Sequence, residues 1–318
     1  MEISASMVKE LRERTGAGIM DCKRALAENN GDLEKAIEFL REKGLASAAK
    51  KAGRVAADGL VASFVGSNRT NGALVEVNCE TDFVAKTDDF QRFARELAEH
   101  ITEQAPKSVA ADEEGAEAPY LLEQPFKDQQ TVGEYVTQMV AKTGEKITVR
   151  RFAHYQTNAD GLVQDYIHMH GKIGVLIELA LGRADLNTNE EVLTLAKDLA
   201  MQVAAAKPEY VRRDQVPATV IEAEKKIYMA QAVNEGKPQA VAEKITQGRI
   251  NKLLKEICLE EQIFIKDNQQ TVSGLVAEVG KKLGAEIKIV RFTRYEKGEG
   301  IEKRTDDFAA EVMSQIKG

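Results

Sequence analysis

The stretch "GLVASFVGSNRTNGALVEV", residues 59–77, returns 102 positions later as "GLVQDYIHMHGKIGVLIEL", residues 161–179, without a gap. Gly59 meets Gly161, Gly72 meets Gly174 and Glu76 meets Glu178. Each copy places two apolar runs around a polar, Gly-containing turn, the pattern of two paired strands. The same offset continues into a helical pattern, pairing Phe90 with Val192, Phe93 with Leu195, Leu97 with Leu199 and Pro106 with Pro208. A second echo joins "TVGEYVTQMVAKTGEKITVRRFAHY" at 131–155 to "TVSGLVAEVGKKLGAEIKIVRFTRY" at 271–295 at an offset of 140, aligning Arg151 and Phe152 with Arg291 and Phe292. Self-similarity at a fixed offset marks duplicated structural units. Each half reads strand, turn, strand, helix, helix, strand, which predicts an α+β fold with two related subdomains built on antiparallel sheets.

The growth of the offset from 102 to 140 places an insertion in the second half, at roughly residues 212–258. This segment is highly charged and helical in pattern. Val220 and Ile227, then Val241, Ile245, Leu253 and Ile257 beyond a "NEGKP" turn, recur near heptad spacing and predict a projecting antiparallel helical hairpin. The first half carries an acidic loop, "AADEEGAEAP" at 110–119. Upstream, residues 3–50 read as three short helices. Ser4 or Ser6 caps the first and "TGAG" at 15–18 breaks it. The second presents Met20, Ala25 and Leu26, and "NNGD" at 29–32 ends it. Asp32 caps a third with Leu33, Ile37 and Leu40 on one face, and Gly44 is expected to close the unit. The expected domains are a helical unit at 1–50, a linker at 51–58, a core subdomain at 59–156, a second at 157–297 including the hairpin, and a C-terminal helical module at 298–318.

Composition limits what the chain can be. Its 318 residues suffice for several domains, with 43% hydrophobic and 30% charged residues and no Trp. A net charge of -7 argues against general nucleic-acid affinity, which depends on clustered Lys and Arg. No apolar run reaches the length of a membrane span and the first residues lack a secretory signal's apolar centre, so a cytoplasmic protein is expected. Cys22, Cys79 and Cys258 are far apart, the expected pattern of reduced, buried thiols rather than a zinc site or disulfide framework.

Within "CETDFVAKTDDF" at 79–90, Phe83 stands where a strand ends and water should be near. The repeat tests it. Thr81, Asp82, Phe83 and Val84 correspond to Arg183, Ala184, Asp185 and Leu186, so Val84 keeps an apolar counterpart while Phe83 faces an aspartate. The scaffold does not demand an aromatic there. Two readings stand: an anchor for a partner's pocket, or a ring packed under the neighbouring helix.

With these residues in view, the chain resembles the bacterial elongation factor Ts family, the nucleotide exchange factors of elongation factor Tu. The resemblance rests on "TGAGIMDCKRAL", "NGDLEKAI", "KKAGRVAADG", "ETDFVAKTDDF", "HGKIGVLIEL" and "GEGIEKRTDDFAAEV", which extend from near residue 1 to near residue 315. It implies that the N-terminal helices form a ubiquitin-associated-like domain and the hairpin a coiled-coil module. It implies binding to GDP-bound and nucleotide-free elongation factor Tu, with Thr81, Asp82, Phe83 and Val84 acting beside the nucleotide and magnesium. Further partner contacts are implied for Ile19, Met20 and Lys23, and for His170, Phe308 and Val312. Ile19 and Met20 have an alternative place in the core of their small domain.

Other constellations carry less. His168 and His170, two apart, would share a face of a strand, yet no third ligand stands nearby, so no metal is expected. No phosphate-binding glycine loop is present, and no cofactor is expected. Asp82, Asp88 and Asp89 fit helix-start acids better than a hydrolytic pair, and Lys50, Lys51 and Arg54 fit a solvated linker face. No catalytic group is needed for exchange. The rival readings are a peptide-binding adaptor using residues 15–45, and an enzyme with a cleft between its halves, for which the repeat supplies no titratable cluster.

Overall fold

The computed structural model describes residues 3–15, 17–127 and 130–302. Phe308 and Val312 lie outside the described residues, as does the C-terminal helical module expected at 298–318 apart from residues 298–302, which form a turn and irregular backbone and not a helix. Two compact units divide the chain. One takes the chain up to Val61, Val75–Phe152 and the segment from Glu296; the other takes Ala62–Leu74 and Ala153–Tyr295.

Three helices open the first unit: α1 (Ala5–Thr15), α2 (Ile19–Glu28) and α3 (Leu33–Lys51). The Ser4 hydroxyl accepts the Met7 amide at 3.3 Å, and Asp32 accepts that of Lys35 at 3.2 Å, each satisfying an amide that a helix start leaves unpaired. Their shared core is Leu11, Cys22, Ala25, Leu26 and Ala36, with Leu33, Ile37 and Leu40 packed against it. Two expectations are corrected. Met20 is not on the inner face of α2, where Cys22 sits instead. Gly44 does not close the unit, because α3 continues to Lys51 and Gly44 is buried within it. A Cβ at Gly44 would lie 3.6 Å from Thr137 and 3.7 Å from Ala141, so the glycine marks a close helix contact rather than a helix end.

The repeat continues through β1 (Asp58–Val65), β2 (Asn71–Cys79), the single turn α4 (Asp82–Ala85), α5 (Asp88–Gln104), β3 (Pro125–Lys127), β4 (Gln130–Thr131), α6 (Val132–Thr143) and β5 (Thr148–Gln156). Its second copy is β6 (Gly161–His168), β7 (Ile173–Ala180), α7 (Glu190–Ala206), the inserted α8 (Ala218–Asn234) and α9 (Gln239–Ile257), β8 (Ile263–Phe264), β9 (Asp267–Thr271), α10 (Val272–Leu283) and β10 (Lys288–Glu296). The sheet orders β1-β2-β5 and β10-β7-β6 are the same arrangement twice. β6 and β7 pair antiparallel from Gly161 opposite Ala180 to His168 opposite Ile173. The two-residue to five-residue strands of β3/β4 and β8/β9 form small sheets that the sequence reading did not anticipate.

Correspondence reaches single side chains. Phe90, Phe93, Ala94, Leu97, Ala98 and Ile101 of α5 are buried, as are Val192, Leu195, Ala196, Leu199, Ala200 and Val203 of α7 at the same offset. Ala105 and Lys207 both take left-handed backbone where these helices stop, and a proline follows each. Buried Glu76 meets the Arg151 guanidinium at 2.6 Å, and Glu178 meets Arg291 at 2.6 Å.

The hairpin α8/α9 stands where an insertion was expected, with a seam that keeps Val220 and Ile257 but is otherwise different. Ala242, Thr246, Ile250 and Leu254 are the buried residues of α9, while Val241 and Ile227 are exposed. Val216, Ile250, Leu254 and Cys258 form one buried cluster of this contact, with Val220, Ile221, Tyr228 and Ile257 packed against it.

Candidate functional site

Residues 79–90 leave the end of β2 and enter α5 through α4. Thr81 caps α4 by accepting the Val84 amide at 3.4 Å, and Thr87 caps α5 by accepting that of Phe90 at 3.4 Å. The Thr87 hydroxyl also donates to the Val84 carbonyl at 2.7 Å, tying one turn to the next. Asp88 and Asp89 occupy the first turn of α5, where negative charge suits the helix N-terminus. Lys142, hydrogen-bonded to Asp89, holds that carboxyl below its usual range.

On this frame Ala85 is buried, Val84 half-buried and Phe83 79% exposed. The ring is therefore not packed beneath α5. Asp82 is paired with Lys86 one turn on, and the hydrogen bond to Asp82 holds the Lys86 ammonium above its ordinary range. The second copy differs as the sequence indicated: Asp185 is exposed on a short 3₁₀ turn, engaged with Arg183 at 2.6 Å, and Leu186 is buried.

What holds the projecting turn comes from far along the chain. The Glu145 carboxylate accepts the Thr81 hydroxyl at 2.6 Å, the Thr81 amide at 3.0 Å and the Glu80 amide at 3.1 Å. In return Glu80 accepts the Lys146 amide at 2.6 Å and lies 3.3 Å from Arg54. The Cys79 thiol donates to the Thr81 carbonyl at 3.1 Å, and burial, with Glu145 nearby, pushes its pKa up to about 12. It is a protonated donor and not a nucleophile. Sequence reasoning missed Glu145, Glu80 and Lys146. The repeat held the signal, because the counterparts of Glu145 and Glu80 are Ala285 and Gly182.

The remaining predicted residues fall in two places. Ile19, Met20 and Lys23 begin α2 on its outer side, with Ile19 55% and Met20 73% exposed, so neither belongs to the small domain's core. His170 lies in the tight turn between β6 and β7, at φ 53° beside Met169 at φ 49°. It does not share a strand face with His168, contrary to expectation: β6 ends at His168, whose ring instead meets the Tyr166 hydroxyl at 3.0 Å. Among the described residues no three His, Cys, Asp or Glu side chains gather as a metal site, and no helix is long and apolar enough to cross a membrane. Cys22, Cys79 and Cys258 are free and buried.

An exposed aromatic next to a paired acid, on a turn anchored from outside, can enter a partner's pocket while presenting a carboxylate beside it. Comparison with known proteins bears on what that partner is. The family described as Elongation factor TS matches residues 80–299. An elongation factor Ts of Symbiobacterium thermophilum is 51% identical over 314 residues, covering 99% of this chain and 98% of that protein. Those of Clostridium acetobutylicum and Clostridium botulinum are 50% identical over 316 residues and 49% identical over 314, each covering 99% of both chains.

Proposed function

The chain belongs to the elongation factor Ts family, the guanine-nucleotide exchange factors of elongation factor Tu in translation elongation, and from that premise we propose that Thr81, Asp82, Phe83 and Val84 are the element through which it loosens GDP. The observation that carries this is the exposure of Phe83, a large aromatic held at 79% accessibility on an anchored turn. Exposed aromatics of this kind supply most of the binding energy when a pocket receives them.

GDP is held in its carrier by magnesium and by amides at a helix start, arrangements that fail when their geometry shifts. Phe83 acts as a wedge between elements bordering the nucleotide, and Asp82 disturbs the polar network around magnesium. Exchange is then a coupling between two ligands: whatever factor binding takes from GDP affinity, GDP takes equally from factor affinity. No bond is made or broken, so the protein is not an enzyme and needs no base, nucleophile or cofactor of its own.

The partner is elongation factor Tu, met in its GDP-bound form and released from its nucleotide-free form by GTP, in the cytoplasm. Ile19, Met20 and Lys23 form a second contact from the α1–α3 unit, which we read as the family's ubiquitin-associated-like domain. His170 forms a third contact, and α8/α9 corresponds to the coiled-coil module. The test is release of a fluorescent GDP from elongation factor Tu, chased with unlabelled GDP. Acceleration at substoichiometric amounts of this protein is expected. Unchanged release from a carrier that still loses GDP on magnesium chelation would overturn the reading.

A further inference from the structure

We propose that Glu145 is the positioning residue of the exchange element: its carboxylate fixes the backbone from which Asp82 and Phe83 project, so that the wedge meets its partner already ordered. The proposal rests on the reading of Asp82 and Phe83 given above. Three donors of residues 80–81 converge on this one carboxylate, at 2.6, 3.0 and 3.1 Å. Hydrogen bonds to an ionised acceptor are about twice as strong as neutral ones. Glu145 is itself well placed. Gly144, at φ 75°, ends α6 in left-handed backbone and turns the next residue back toward β2, and the Glu145 amide donates to Thr143 at 3.2 Å. The neighbouring pair repeats the connection in the opposite sense, with Glu80 accepting from the Lys146 amide while the Lys146 ammonium donates to the carbonyls of Ala52 at 2.7 Å and Arg54 at 3.0 Å.

The second copy shows that the fold does not need this clamp. Ala285 stands in place of Glu145 and Gly182 in place of Glu80, yet α7, α10 and β10 form over the same spans as α5, α6 and β5. The clamp is confined to the copy that carries Phe83. Both copies have only a short turn here, but in the first the turn must also aim an exposed ring, which a single turn does not order by itself. The ring, being exposed, gains no packing that could fix its direction. Anchoring Thr81 sets where the following side chains point, so that once the factor has docked through its other contacts the wedge enters without first having to order.

The experiment compares Glu145→Ala, Glu145→Gln and Phe83→Ala by GDP release from elongation factor Tu over a range of factor concentrations, together with thermal melts and amide hydrogen exchange at Glu80 and Thr81. A positioning role predicts that Glu145→Ala lowers the maximal release rate roughly ten- to a hundredfold, the cost of a misplaced reacting element. Exchange protection at residues 80 and 81 should fall, while the half-saturating concentration changes little. Glu145→Gln, whose amide oxygen can accept both backbone amides while its NH2 meets the Thr81 hydroxyl, should restore most of the rate. A maximal rate equal to wild type in Glu145→Ala, or a loss confined to half-saturation and melting temperature, would overturn the proposal. If Glu145→Ala fails to fold, Glu145→Met keeps the side-chain length without an acceptor and is judged by the same criteria. Wild-type release by Phe83→Ala would instead overturn the wedge reading itself; slow release by Phe83→Ala beside normal release by Glu145→Ala would remove only the role of Glu145.

Discussion

A side chain that costs nothing to remove from the fold is free to be chosen for a partner, and Phe83 is in that position. Its ring is exposed, so Phe83→Ala should leave stability within about 0.5 kcal/mol of wild type, as substitutions away from buried features do. Maximal GDP release should nevertheless fall by roughly tenfold or more, the loss of an interfacial anchor. Melting curves run beside release assays separate the two effects, and a parallel fall in both would make Phe83 a structural residue. This freedom was legible in the sequence, because the repeat set Asp185 at the same scaffold position. Glu145 was not read, although its counterpart Ala285 carries the same kind of signal. The reason is physical: a carboxylate bonded to amides 64 and 65 residues away leaves no local pattern, and only the fold brings the two segments together.

Helices announced themselves through their ends. Ser4 and Asp32 cap where the sequence placed them; the left-handed stops of α6 and α10 at Gly144 and Gly284 went unread. Interiors were harder. Gly44 resembles a terminator, yet it lies inside α3 because α6 passes close by. In α9 the expected heptad residues Val241 and Ile245 are not the buried ones, and the seam runs through Ala242, Thr246, Ile250 and Leu254 instead. β3, β4 and β8 are too short to show any period. The seam carries its own prediction. The Thr246 hydroxyl is buried without a hydrogen-bond partner, so Thr246→Val should stabilise the hairpin by about 1 kcal/mol, the cost of an unsatisfied buried hydroxyl. Hydrogen exchange along α9 reports this locally. Faster exchange in the variant would mean that the hydroxyl is satisfied in solution.

At the scale of the molecule, the duplication organises both stability and labour. Each copy buries one glutamate against arginine, but the first is the more elaborate: Glu76 is bonded to Arg150, Arg151 and the Gly298 amide at 3.1, 2.6 and 2.7 Å. Breaking a buried ion pair by removing one partner costs about 3–5 kcal/mol. Arg150 and Arg151 retain side-chain exposures of 27% and 31% and can rehydrate, which puts Glu76→Ala toward the lower end of that range. Urea unfolding measures it, and a loss under about 1 kcal/mol would show that the network contributes little. The two copies also hold the excursion where the insertion falls with identical fastenings. Lys107 and Leu121 donate to Pro119 and Ser108 at 2.9 Å; Glu209 and Leu259 donate to Ile257 and Tyr210 at 2.9 and 2.8 Å. Between these fastenings one copy has a short acidic loop and the other a pair of long helices. Loop-closure entropy grows only slowly with length, so such a junction tolerates cargo of very different size. For a protein engineer the acidic loop at 110–119 is accordingly a splice site, where a fluorescent reporter or affinity peptide could be grafted with its two ends already clasped.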